Sequence, residues 1–206
     1  MIGIIDYGVG NLFSVKNALD YLEINSEITD SPEKLTNYSA LILPGVGSFK
    51  EGMSMLKEQG FQDIIRERVK AGVPLLGICL GMQLLFTEGE EGDAERNATP
   101  GLALIDGRIT KFPQDVMVPH VGWNQVNISN SHPVFDHIDG EYFYFVHSYR
   151  AELDQLSEDV LIGQTSYYES FPSIVGQDNI LGVQFHPEKS SHAGLSILKV
   201  FGGMMG

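Results

Sequence analysis

Four short apolar runs divide the first eighty residues, and the segments between them repeat their apolar positions with the period of a helix. Residues 1–7, 23–29, 40–43 and 73–78 carry the strand signal, the third being expected to stop at Pro44 and Gly45. Residues 11–22 place Val15, Ala18, Leu19 and Leu22 on one helical face. Residues 52–71 read as mostly helical with a break near Gly60, and 80–86 as a helix that follows the fourth run. Strands that alternate with helices pair in parallel, because each connection must cross a face of the sheet. The expectation is an α/β fold: an open, mostly parallel sheet with helices on both faces.

The second half is richer in strands. Residues 101–112, 121–129, 141–152, 160–169 and 173–185 carry the β-branched and aromatic residues, and 191–205 close the chain as an amphipathic helix. The acidic residues 88–95 read as a solvated loop. With 206 residues, no repeat and no linker, the chain is expected to form a single domain over 1–206.

Charge narrows the partners. A formal net charge of -14 repels phosphate backbones and anionic lipid, so neither nucleic acid nor a membrane surface is an expected partner. The longest apolar run, 73–86, is interrupted by Gly77 and Gly81 and is too short to span a bilayer. The N-terminus lacks the basic start of a signal peptide, and one cysteine permits no internal disulfide. Both point to a cytoplasmic protein.

That cysteine stands in Gly77-Ile78-Cys79-Leu80-Gly81. A buried strand runs into it and a helix leaves it, with glycines two residues to either side. This is the G-x-nucleophile-x-G elbow, with Cys in place of Ser. A β-carbon at either glycine would collide with a neighbouring element, and the new helix would favour a thiolate at its start. The Leu80 amide would then face a developing oxyanion. A small, buried, inert cysteine fits the same residues. Near the C-terminus, Phe185-His186-Pro187-Glu188 offers a base and its orienter. Pro187 keeps His186 extended, so His186 and Glu188 point to the same side, and the carboxylate can hold the imidazole in one tautomer. A surface histidine, or metal ligation by His186, Glu188 and His192, are the competing readings; neither HExxH nor a second cysteine supports zinc, and no metal is expected.

Taken together, these segments resemble the triad-type class I glutamine amidotransferases, and among them the glutaminase subunits of imidazole glycerol phosphate synthase. The resemblance covers nearly the whole chain. It rests also on Asp6-Tyr7-Gly8-Val9-Gly10-Asn11, on Pro44-Gly45-Val46-Gly47-Ser48-Phe49, and on Pro119-His120-Val121-Gly122-Trp123-Asn124. Tyr144-Phe145-Val146-His147-Ser148-Tyr149 completes it. It implies a flavodoxin-like sheet, a Cys79–His186–Glu188 triad, and no cofactor. It further implies an oxyanion hole drawn from Gly45, Val46, Gly47 and Leu80. Gln83, His147, Ser148 and Tyr149 would hold the glutamine. Asn11, Pro119, Trp123, Tyr144 and Lys189 would meet the partner, a (β/α)8-barrel cyclase, in a heterodimer. For Trp123 and Tyr144, core packing is the alternative.

The glycine-rich segments do not suit nucleotides. Phe13 stands where a dinucleotide fingerprint needs its third glycine, and residues 45–50 lack the Gly-Lys-Ser/Thr ending of a P-loop. Several functions remain open on these residues. The chain could serve the cyclase of histidine biosynthesis, feed a sugar-modifying synthase, act as a non-catalytic interaction subunit, or work as a free-standing γ-glutamyl hydrolase.

Overall fold

A computed structural model describes residues 1–92 and 98–204. In chain order the elements begin with β1 (Ile2–Ile5), α1 (Leu12–Tyr21), β2 (Ser26–Thr29), β3 (Ala40–Gly45), α2 (Phe49–Glu58), α3 (Phe61–Lys70), β4 (Leu75–Cys79) and α4 (Leu80–Gln83). The strand-rich half follows: β5 (Phe86–Gly89), β6 (Thr99–Pro100), β7 (Ile105–Lys111), β8 (His120–Gln125), β9 (Asn127–Ile128), β10 (Tyr142–His147) and β11 (Tyr149–Ala151). Then come β12 (Leu161–Tyr167), β13 (Glu169–Gln177), β14 (Ile180–Val183) and α5 (Ser191–Gly203).

The main sheet has the order β2-β1-β3-β4-β14-β13-β12-β9. From β2 to β14 every pairing is parallel; β13, β12 and β9 extend the sheet antiparallel. Strands β1, β3, β4 and β14 are buried on both faces, which explains their unbroken apolar runs, while the edge strand β2 is partly exposed. Ile42, Leu76 and Ile78 face α1 and α5, while Leu41, Leu43 and Leu75 face α2 and α3. Two smaller sheets complete the structure, the β8–β10 ribbon and the four-stranded β11-β7-β5-β6 sheet.

The differences from the sequence expectation have local causes. Strand β3 does not stop at Pro44. Leu41 donates its N–H toward β4, so Pro44, three residues on, faces the β1 side, where pairing has already ended at Ile42. A missing N–H costs nothing there, and the strand runs on to Gly45 beside Cys79. The expected helix 80–86 is one turn, α4, because Phe86 instead pairs in parallel with Ile105. The expected strand 173–185 is part of a hairpin turning at Asp178, whose φ is +52°, and 141–152 divides at Ser148 between two sheets. The acidic segment is not simply a solvated loop. Glu88 lies in β5, and Arg108 bridges Glu88 at 3.3 Å and Glu90 at 3.1 Å. Residues 93–95 of that expectation lie outside the described residues. Among the described residues no helix is long and apolar enough to cross a membrane.

Candidate active site

Three neighbouring parallel strands deliver the site. Gly45 ends β3 in register with Cys79 at the end of β4, and Val183 ends β14 beside Ile78, three residues before His186. The turn out of β4 is tight. A β-carbon at Gly81 would lie 1.7 Å from the Leu43 carbonyl oxygen, and one at Gly77 would lie 2.7 Å from the Gly81 oxygen. Cys79 itself has φ +55° and ψ −112°, a conformation that costs a non-glycine residue on the order of 1–3 kcal/mol. Strain of that size persists only where the surroundings impose it.

Cys79 is 6 % exposed. Its Sγ lies 3.9 Å from the Val146 carbonyl oxygen and 3.9 Å from Nε2 of Gln184. His186 is buried, and its Nδ1 lies 2.8 Å from Oε1 of Glu188. A Glu carboxylate only accepts, so Nδ1 carries the hydrogen and Nε2 is left free for the thiol. Nε2 has no hydrogen-bond partner among the described residues. Burial draws the imidazole's proton affinity down, but the Cys79 thiol and the Glu188 carboxylate outweigh it and push the pKa up to about 10. An imidazolium so held is the natural counterion of a thiolate. The helix dipole contributes less than expected, since α4 is a single turn.

The base segment is clamped. The His186 N–H donates to the Tyr144 carbonyl at 3.0 Å, and the buried Ser190 hydroxyl donates to the His186 carbonyl at 2.6 Å while accepting from the Tyr144 N–H at 3.0 Å.

A cavity of about 260 Å3 opens over the thiol. It brings together Val46, Gly47, Cys79, Leu80, Gln83, His147, Ser148 and Tyr149, and it includes Pro119, expected at the partner surface. Gly45 lies beneath it: a β-carbon there would sit 2.4 Å from the Tyr7 hydroxyl. Leu80 opens α4, so its N–H is among the donors that a helix start leaves without an intrahelical acceptor. Gln83 serves the wall. Its amide nitrogen donates to the Tyr149 carbonyl at 2.9 Å and to Oε1 of Gln184 at 3.0 Å.

Sequence reasoning missed Glu91, Gln184 and Tyr7. Glu91 lines the cavity, and burial, opposed by a backbone N–H at Phe49 and by Lys111, raises its carboxyl to about 7. Among the described residues the fully buried Tyr7 hydroxyl has no hydrogen-bond partner, and burial together with the charge at Cys79 pushes it well above the usual phenol range. Tyr7 stands in the Asp6–Asn11 segment, but nothing in that segment points to a buried hydroxyl near the thiol, and a carboxylate within an acidic run looks like any solvated charge.

The remaining expected residues differ in exposure. Trp123 is half-exposed, and across the ribbon it stacks edge-on against Tyr144 at 6.1 Å. Core packing therefore does not account for Trp123. Val121 and Tyr142 are exposed on the same ribbon, Pro119 and Lys189 are exposed, and Asn11 is half-buried at the start of α1.

The sequence model of the family described as Glutamine amidotransferase class-I matches residues 3–202. The chain belongs to the class I glutamine amidotransferases. Within that family it is 48 % identical to the imidazole glycerol phosphate synthase subunit HisH of Halalkalibacterium halodurans, over 100 % of this chain and 96 % of the relative. The HisH subunit of Geobacillus thermodenitrificans is 45 % identical with the same coverage. The fold also resembles a solved chain titled "Structure of PurLQS from Thermotoga maritima", with a TM-score of 0.78 at 15 % identity, covering 100 % of this chain and 98 % of that one. At that identity the likeness speaks for the fold, an α/β amidotransferase fold around a mostly parallel sheet.

Proposed function

We propose that this chain is the glutaminase subunit of an imidazole glycerol phosphate synthase, acting over residues 1–206 as one cytoplasmic domain. The observation that carries the reading is Cys79 on the cavity lining together with the buried His186–Glu188 pair, in a chain nearly half identical to HisH subunits. In this reading Cys79 thiolate attacks the carboxamide carbon of glutamine. The Leu80 N–H, with an N–H from the Val46–Gly47 segment, stabilises the oxyanion. His186 passes its proton to the leaving nitrogen, ammonia departs, and a glutamyl thioester remains. His186 then takes a proton from water, whose oxygen attacks the thioester, and glutamate leaves as the thiolate re-forms. Neither metal nor cofactor enters these steps.

The wall supplies recognition. Glu91 is the carboxylate of the cavity, and glutamine carries an α-ammonium; the 147–149 segment offers polar groups to the α-carboxylate. The acceptor of the ammonia is expected on a (β/α)8-barrel cyclase, docked on the surface of Asn11, Pro119, Trp123, Tyr144 and Lys189. A sugar-modifying partner is the alternative. Steady-state glutaminase activity decides between them, measured for the chain alone, with the cyclase, and with the cyclase plus its ribonucleotide substrate. A missing oxyanion donor is worth roughly 10² to 10³ in rate, and the full assembly should raise hydrolysis by at least that factor. Full activity of the isolated chain would reject this gating, and activation only by a sugar-modifying synthase would reassign the pathway.

A further inference from the structure

Beneath the cavity wall runs a chain of polar side chains that the proposed chemistry leaves unused. Nδ1 of His147 lies 2.8 Å from the Tyr149 carbonyl oxygen, Nε2 of His147 lies 3.0 Å from Nδ1 of His120, and Nε2 of His120 lies 2.7 Å from Oδ1 of Asn124. The far end sets the amide's orientation, since Nδ2 of Asn124 donates to the Ser166 carbonyl at 3.1 Å. Both ends of the ring chain, the Tyr149 carbonyl and Asn124 Oδ1, can only accept. Each of the three gaps is of hydrogen-bond length and must hold a hydrogen, or two lone pairs would face each other. Two neutral imidazoles supply one N–H each. The count closes only with one further proton on the pair.

By this count the middle hydrogen can sit on either His120 or His147. The surroundings decide for the first, leaving His147 neutral and accepting at Nε2 while a charged His120 donates from both nitrogens. Its ring lies between two aromatic faces, Tyr167 at 3.9 Å and 18° and Phe145 at 5.1 Å and 20°, and such faces attract a cation. Burial works against charge on either ring. It lowers His120 against the support of Asn124, and it lowers His147 to about 3, with the charges of His120 and His186 adding to the effect. The other ionisable groups nearby are engaged elsewhere. The Tyr167 hydroxyl donates to the Met117 carbonyl at 2.8 Å, and Arg150, above Phe112, is bound to Glu169. Among the described residues no carboxylate bears on either ring.

We infer that His120 is a positioning residue that holds a buried proton, and that as an imidazolium it ties the strand bearing Trp123 to the glutamine wall at His147–Tyr149. The two histidines are directly paired across the ribbon, so the link joins the exposed strand to the cavity in one step.

Imidazole ¹⁵N NMR of the full chain, recorded between about pH 5 and 8, tests the proton. The expected result is a doubly protonated His120 within that window beside a neutral His147 with its hydrogen on Nδ1. A His120 with a single N–H throughout, or a protonated His147, would overturn the inference. Asn124→Asp should extend the doubly protonated state to the alkaline end of the window, and Asn124→Leu should abolish it; its survival in the leucine variant would refute the count. The positioning role rests on the glutaminase reading. At fixed pH, with the partner present, Asn124→Leu should raise KM for glutamine several-fold more than it lowers kcat, and Asn124→Asp should restore it. An unchanged KM in the folded leucine variant would remove that role. Should the wild-type chain prove not to be a glutaminase, the NMR arms still judge the proton.

Discussion

His186 Nδ1 and Glu188 Oε1 meet at 2.8 Å although only one residue, Pro187, separates them in the chain. His186 has φ −100° and ψ 97°, extended as the residue before a proline should be. The pairing is therefore local, while the thiol that it would serve in the proposed mechanism comes from a strand more than a hundred residues earlier.

If Cys79 is the nucleophile, Cys79→Ala should abolish glutamine hydrolysis. Fold and partner binding should survive, and the complex should still form product from added ammonium salt. Appreciable glutaminase activity in this variant would end the assignment.

His186→Ala should damage turnover nearly as much, and Glu188→Gln less. Loss of an orienter in a serine triad costs on the order of 10⁴ in kcat, and a thiolate nucleophile should lose less. The pH dependence of stability offers a separate check. The folded pKa of His186 is raised from 6.5 to about 10, so its stabilising contribution is complete below 6.5 and disappears as pH rises toward 10. Denaturant titrations of wild type and His186→Gln should converge over that interval.

Glu91→Gln should raise KM for glutamine by roughly 10- to 100-fold with little change in kcat, the range of a charge-assisted bond of about 1.5–3 kcal/mol. The wild-type KM should worsen as pH falls through about 7, where the Glu91 carboxyl takes up its proton, and the variant should lack that step. Because its folded pKa is raised from 4.5, ionising Glu91 weakens the free fold as pH rises from 4.5 to about 7, and Glu91→Gln should relieve this. An unchanged KM would remove Glu91 from recognition.

Gly81→Ala should destabilise the chain by about 3 kcal/mol or more, since its methyl would overlap the Leu43 carbonyl oxygen. A lower urea midpoint at unchanged slope is the expected signature; a wild-type midpoint would contradict the packing around the elbow.

Much of this was readable in advance because it depends on short-range chemistry. The period of Val15, Ala18 and Leu19, the glycines around Cys79 and the proline between His186 and Glu188 act on their own neighbourhood. Glu91 and Gln184 gain their setting from distant segments. Glu91 reaches the cavity because β5 follows α4 at once and pairs with β7, and Gln184 meets the thiol because β14 lies beside β4. The same applies to Pro44, whose tolerance within a strand depends on where β1 ends.

The register of β3, β4 and β14 has a consequence for how the enzyme can vary. In the proposed mechanism the oxyanion-donor segment and the thiol stand at strand ends aligned by main-chain ladders, with the imidazole three residues beyond the third strand, so a slip of one residue would displace them by about 3.3 Å and turn side chains to the opposite face. Alignment of this kind depends little on which apolar side chains lie behind the strands. Volume-conserving exchanges among Ile42, Leu76 and Ile78 can accumulate without moving the reacting atoms, whereas one inserted residue in any of the three strands would separate them.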